Sequence, residues 1–198
     1  MKRGCEFGGY GTMKGTAYTR LQEFLNQFPL GFPRSGSGVE IEILKKLFTE
    51  KEAQRAVLLT PFPEEASQIA SRTGMDEEVL KEELESMAKK GLIFRVRRGG
   101  KTFFNSAPFM IGLYEYSVKK LDRELAELYA RYYEESYQRE MGVSDIPGFR
   151  VFPVSEHIDP EITAFPYPAL ETEIRAAREI SVAECVCRKE AGLTGEGC

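Results

Sequence analysis

Leu92-Ile93-Phe94-Arg95-Val96 and Lys101-Thr102-Phe103-Phe104 stand on either side of Arg97-Arg98-Gly99-Gly100, and this stretch decides the fold. Runs rich in aliphatic and aromatic residues on both sides of a glycine pair predict a β-hairpin. Directly upstream, Asp76 reads as an N-cap for a helix in which Val79, Leu80, Leu84 and Met87 recur at helical spacing, with Gly91 closing it. Pro63, at a first-turn position, opens a preceding helix bearing Ala66, Ile69 and Ala70, and Gly74 ends that helix as a left-handed C-cap. Before it, Thr49 and Glu52 form a capping box for a helix carrying Ala53, Ala56, Val57 and Leu58. Ile41, Ile43, Leu44, Leu47 and Phe48 give the first amphipathic helix. Helices, a short glycine turn, another helix and then a hairpin is the order of a winged helix-turn-helix, here over residues 39–107. The expected class is mainly α (α+β).

The flanks divide differently. Residues 1–38 read as a glycine-rich flexible arm with one short helix (Leu21, Phe24, Leu25 and Phe28 on one face) and a Ser35-Gly36-Ser37-Gly38 linker. Residues 108–141 predict a long amphipathic helix. Tyr114, Val118, Leu121, Leu125, Leu128 and Tyr132 form a seam that suits a helix of this chain or of a second copy, so homodimerisation through 114–132 is one expected use. Residues 142–198 hold a proline-rich stretch, with Arg150–Val154 as an edge-strand candidate, then a helix over 169–183 and a terminal cysteine segment.

Composition sets bounds on function. The chain has 198 residues, 42% of them apolar, and a net charge of −4, which argues against non-specific coating of nucleic acid. No stretch approaches the ~20 apolar residues of a membrane span. Met1-Lys2-Arg3 is followed by Gly4-Cys5-Glu6-Phe7 and not by the apolar core of an export signal, so a cytoplasmic location is expected.

Of four cysteines, Cys185, Cys187 and Cys198 fall in the last fourteen residues. In a reducing compartment, clustered thiols point to metal or redox chemistry. Three soft thiolates suit an iron–sulfur cluster, with structural zinc or a vicinal redox dithiol as the alternatives. Arg188 and the amides of a glycine-bearing loop (Gly192, Gly195, Gly197) would favour the thiolate charge. Cys5 reads as a bystander, and His157, the only histidine, as a surface residue. With one histidine and no serine elbow, Ser/His/Asp or Cys/His catalysis is not indicated.

Nucleic-acid binding is the competing use of a winged helix. The helix that would enter the groove carries Asp76, Glu77, Glu78, Glu82, Glu83 and Glu85 against Lys81, Lys89 and Lys90, an unfavourable sign beside phosphates. The hairpin is basic (Arg95, Arg97, Arg98, Lys101), so a wing–phosphate contact defines the alternative, a transcription regulator sensing metal or redox state.

Six passages in order carry a resemblance: Leu21-x3-Leu25-Asn26-x2-Pro29-x-Gly31-x-Pro33, Val39-Glu40-x2-Ile43-Leu44-x2-Leu47-Phe48-Thr49, Met87-Ala88-Lys89-Lys90-Gly91-Leu92-Ile93, Ile111-Gly112-x-Tyr114-Glu115, Arg150-Val151-x-Pro153-Val154 and Cys185-x-Cys187-Arg188. Together they resemble cytoplasmic 4Fe-4S ferredoxin-type proteins of anaerobic bacteria and archaea headed by a winged-helix-like region. The resemblance implies an accessory CxCR motif with a further cysteine downstream, matched here by Cys185, Cys187 and Cys198, ahead of C-x2-C-x2-C segments that this sequence lacks. It further implies electron transfer to a redox partner protein, no catalysis by this segment, and a chain that is the N-terminal part of a longer protein.

Overall fold

The computed structural model describes residues 15–143 and 167–195. Over these the chain is mainly helical, with one small antiparallel sheet of three strands. The hairpin forms where the glycine pair places it. Gly99 and Gly100 take φ of +58° and +75°, the left-handed pair a two-residue turn requires. β2 (Ile93–Arg98) and β3 (Lys101–Ser106) therefore pair with Arg98 opposite Lys101 and Ile93 opposite Ser106.

A third strand, β1 (Glu64–Glu65), lies on the free edge of β3 and gives the order β1-β3-β2. Here the structure differs from the reading of Pro63 as the start of a helix. Glu64 and Glu65 stay extended to satisfy the β3 edge, and Glu65 N-caps the helix in a reciprocal box with Gln68. The two acids pair with Arg72 and Lys101, both at 2.8 Å.

α2 (Val39–Leu47), α3 (Glu50–Ala56), α4 (Ala66–Thr73) and α5 (Glu77–Lys89) fall close to their expected places. The Thr49–Glu52 capping box forms, Gly74 is left-handed at φ +72°, and Asp76 accepts from the Val79 N–H at 3.0 Å. Leu80, Leu84 and Met87 are buried, whereas Val79 is half exposed and stands outside the core.

Residues 15–38 are not an arm. α1 (Ala17–Leu25) buries Ala17, Leu21, Phe24 and Leu25 in the same cluster as α2 and α5, and Phe32 is fully buried against Phe109 and Tyr132. The serine–glycine stretch expected as a linker is a helix start. The Ser35 hydroxyl accepts from the Gly38 and Val39 N–H groups and donates to the buried Glu40 carboxylate.

The long helix expected over 108–141 is interrupted. A tight turn at Phe109–Leu113 leads into α6 (Tyr114–Tyr116) and a single 3-10 turn, Ser117–Lys119. The chain then restarts at Asp122, whose carboxylate caps α7 (Arg123–Tyr132) by accepting from the Leu125 N–H at 2.8 Å. A capping aspartate competes with helix continuation, and the run of periodic apolar residues hid that. Five residues of wider π-helical turn, Tyr133–Tyr137, follow, then α8 (Gln138–Val143). The seam packs inside the chain: Tyr114, Leu121, Leu125, Leu128 and Tyr132 are all buried in the core with α2. Those five seam side chains are therefore already covered within this chain.

Beyond the undescribed stretch come α9 (Tyr167–Ala176) and α10 (Val186–Thr194). The predicted 169–183 helix thus ends at Ala176, and the Arg150–Val154 strand candidate lies outside the described residues. Among the described residues no helix is long and apolar enough to cross a membrane.

Candidate functional site

Cys185 is the N-cap of α10, with extended backbone (φ −82°, ψ 120°), and Cys187 sits in the first helical turn. The cysteine segment was expected as a glycine-bearing loop. Helix runs instead through Gly192 and ends at the left-handed Gly195, because Val186 and Leu193 have a surface to pack on. Both thiols are free and exposed, and the two sulfurs lie within interaction range of each other. The Cys185 sulfur forms no full capping hydrogen bond. The backbone N–H of Arg188 nonetheless holds its thiol below the ordinary cysteine value, against some desolvation, with help from the Cys187 N–H, the Arg188 charge and the Cys187 thiol. The end of α10 therefore favours a thiolate at Cys185.

Three attachments seat this helix on the body of the fold. Val186, between the two cysteines, is buried in the main core. The Tyr114 hydroxyl donates to the Glu190 carboxylate, and Lys189 Nζ donates to the Val118 carbonyl at 2.8 Å. Two exposed sulfurs are thus presented by a backbone that is fixed just beneath them.

Behind the thiol pair lies a cavity of about 380 Å³ between α10, α7, the Phe109–Leu113 turn and the π-helical turn. Its walls are aromatic: Phe109, Tyr114, Tyr129, Tyr132, Tyr133 and Tyr137, with Cys187 at one side. The rings pack edge to face, Tyr114 against Tyr129 at 5.0 Å and Phe109 against Tyr137 at 5.4 Å. Their hydroxyls are largely tied down, Tyr129 donating to Ser117 Oγ and Tyr132 to the Pro33 carbonyl, each at 2.9 Å. The Tyr137 hydroxyl is buried without a partner among the described residues. Burial pushes the phenols of Tyr114, Tyr129 and Tyr132 well above their ordinary value, and that of Tyr137 up to about 12, so these four phenols are neutral at physiological pH. Among the described residues, charge enters only through Glu115, Glu134 and Glu190.

No family model, curated protein or solved structure matches this chain. The local chemistry alone carries the reading. The residues present fit part of a thiolate site: two adjacent sulfurs, one disposed to ionise, with Arg188 exposed beside them. Cys198, Cys5 and His157 lie outside the described residues. Among the described residues no group of three or more His, Cys, Asp or Glu side chains could hold a metal ion.

The residues expected to meet phosphate are divided. Arg95 is engaged with Glu85 at 2.5 Å and Lys101 with Glu65 at 2.8 Å, while Arg97 and Arg98 are exposed without an ion pair among the described residues. Sequence reasoning missed the aromatic cavity. Its signal was in the chain: six of the nine tyrosines lie between residues 114 and 137, where only the seam members were assigned a purpose.

Proposed function

We propose that Cys185 and Cys187, with Cys198, are thiolate ligands of an iron–sulfur cluster of the 4Fe-4S class, and that this chain is the cluster-bearing N-terminal part of a cytoplasmic ferredoxin-type electron carrier. The observation that carries the reading is the pair of exposed, neighbouring thiols at the start of a helix pinned to the body through Val186. A bound cluster would supply one-electron redox chemistry. The protein's own residues would do the rest. The α10 amides and Arg188 favour the thiolate form at Cys185. Val186, Tyr114 and Lys189 hold the two sulfurs in a fixed relation to the fold. Both sulfurs face solvent, which leaves them open to a redox partner protein.

We read α4, α5 and the hairpin, with β1 on the sheet edge, as a winged helix that acts as scaffold. Support comes from the element order and the strand order β1-β3-β2. A DNA-reading role is disfavoured. Two of the four basic hairpin side chains are neutralised by glutamates, and Asp76, Glu77 and Glu78 are exposed at the start of α5.

Anaerobic addition of ferrous iron and sulfide, with excess small thiol to serve any open coordination position, tests the proposal. A broad visible absorbance that bleaches with dithionite, and that is lost in the Cys185→Ser and Cys187→Ser variants, is the expected result. Stoichiometric zinc binding with no such chromophore would overturn it.

A further inference from the structure

The cavity behind the thiols has a chemical character of its own. Phe109 and five tyrosines line it, three carboxylates contribute to it, and among the described residues no lysine, arginine or histidine does so. Ring faces carry negative potential and attract a cation within about 6 Å of the centroid. Carboxylates nearby add to that field and oppose an anion. A neutral apolar guest would cover those carboxylates without compensating their charge, which is unfavourable.

The acceptors that a primary ammonium would need are partly engaged. Glu190 takes the Tyr114 hydroxyl, and Glu115 takes the Gly112 N–H at 2.6 Å. An alkylated ammonium has few or no N–H groups to satisfy and presents methyl groups to the rings, so it suits a wall of this kind better. A bare metal ion is a poor fit, since the carboxylates do not converge into a group that could hold one. The volume, about 380 Å³, lies in the range of small-ligand pockets.

The surroundings favour a preformed site. The Tyr129 and Tyr132 hydroxyls are held by Ser117 and Pro33, so those rings are fixed before any guest arrives. The widened turn Tyr133–Tyr137, in which the Gln138 N–H reaches back five residues to the Tyr133 carbonyl, brings Tyr133, Glu134 and Tyr137 to the same wall. Such π-helical turns occur often at functional sites.

We propose that this cavity binds a small organic cation of the alkylated-ammonium class, held by the ring faces and counter-charged by Glu115, Glu134 and Glu190. The site does not depend on the cluster. Its ring and carboxylate walls are complete in the metal-free protein, so a failure of iron binding leaves it standing and its own failure leaves the thiol site standing.

Choline serves as the probe, with its neutral tert-butyl isostere (carbon in place of nitrogen) as the control. Each is titrated calorimetrically into the metal-free full chain at matched ionic strength. Choline should bind at least about tenfold more tightly than the isostere, the difference being the charge–ring attraction. Tyr133→Leu and Glu134→Gln alter exposed wall residues that the core does not need, and each should weaken choline about three- to tenfold while the melting temperature stays unchanged. Equal binding of the two probes would overturn the proposal. So would choline affinity indifferent to both substitutions, or no heat up to millimolar choline, the result expected if other residues of the chain fill the cage.

Discussion

The Tyr114 hydroxyl and the Glu190 carboxylate form a side-chain bridge from the inner wall of the aromatic cavity to α10 that involves a charge. Tyr114→Phe removes that bridge and keeps the ring. A hydrogen bond to a charged group contributes about 1.5–3 kcal/mol. Tyr114 is buried but Glu190 is only half-buried, so the lower end applies, about 1.5 kcal/mol. The loss should fall on the docking of α10 rather than on the whole fold, because Glu190 is carried by α10. Tyr114 itself stays packed against Phe109 and Tyr129. A change of that size raises the undocked population about tenfold. Native-state hydrogen exchange should then show the α10 amides exchanging about tenfold faster, with those of α2 and α5 unchanged. Unaltered α10 exchange would mean that the bridge holds nothing. Equal acceleration in all three helices would mean that α10 is part of the global unfolding unit, and either outcome refutes the argument.

Three further outcomes follow from the same geometry. Alkylation of Cys185 by iodoacetamide should lose half its rate at a pH below the ordinary cysteine value, and Arg188→Gln should move that midpoint upward; a midpoint at or above 9.0 would contradict the helix-start account. Gly91 sits at φ +75°, and an added Cβ would lie 2.6 Å from Tyr116 Cβ, so Gly91→Ala should cost about 1–2 kcal/mol for the backbone alone and more for the clash, read as a lower urea midpoint with the slope unchanged. Burial pushes the Glu52 and Glu83 carboxyls upward, but Lys90 and the Thr49 cap for the first, and Lys51 and Arg55 for the second, together bring both below the usual 4.5. Their contribution to stability is therefore complete above that value and disappears as pH falls through the lowered ones. The melting temperature should drop on acidification below about pH 4.5, and Glu83→Gln should flatten the drop.

Much of the fold was legible because short-range signals dominate it. Gly99-Gly100, the Thr49–Glu52 box, Asp76 and Gly74 each dictate backbone within four residues, and each behaves as its local chemistry requires. What escaped depends on distant partners. Glu64 and Glu65 are extended only because β3 offers an unpaired edge forty residues on. Ser35 to Gly38 looked like a linker until Glu40 supplied the acceptor that folds Ser35 back over the start of α2. Asp122 has the composition of an ordinary exposed helix residue, and only its bond to the Leu125 N–H marks it as a cap that splits a seam. The site shows the same division. Clustered cysteines are visible in one dimension, whereas a cage built from Phe109, from tyrosines on three consecutive turns and from a helix fifty residues later is not.

The thiol pair and the cage share α10, and this sharing has a thermodynamic consequence. Cys187, Glu190, Ala191 and Thr194 give the cavity a wall on α10, and Tyr129, Tyr132 and Tyr133 line it from α7 and the turn that follows. An occupant that touches both walls binds the docked arrangement better than the undocked one, and so stabilises docking by RT ln(1 + [L]/Kd), about 2.7 kcal/mol at a hundredfold excess over Kd. That exceeds the roughly 1.5 kcal/mol assigned to the Tyr114–Glu190 bridge. Saturating choline should therefore return the α10 exchange rates of Tyr114→Phe to the wild-type range or below. Linkage is reciprocal, so whatever fixes the sulfurs of α10 must also tighten the cage. Choline that binds yet leaves α10 exchange untouched would place the guest on the α7 rings alone and remove α10 from the site.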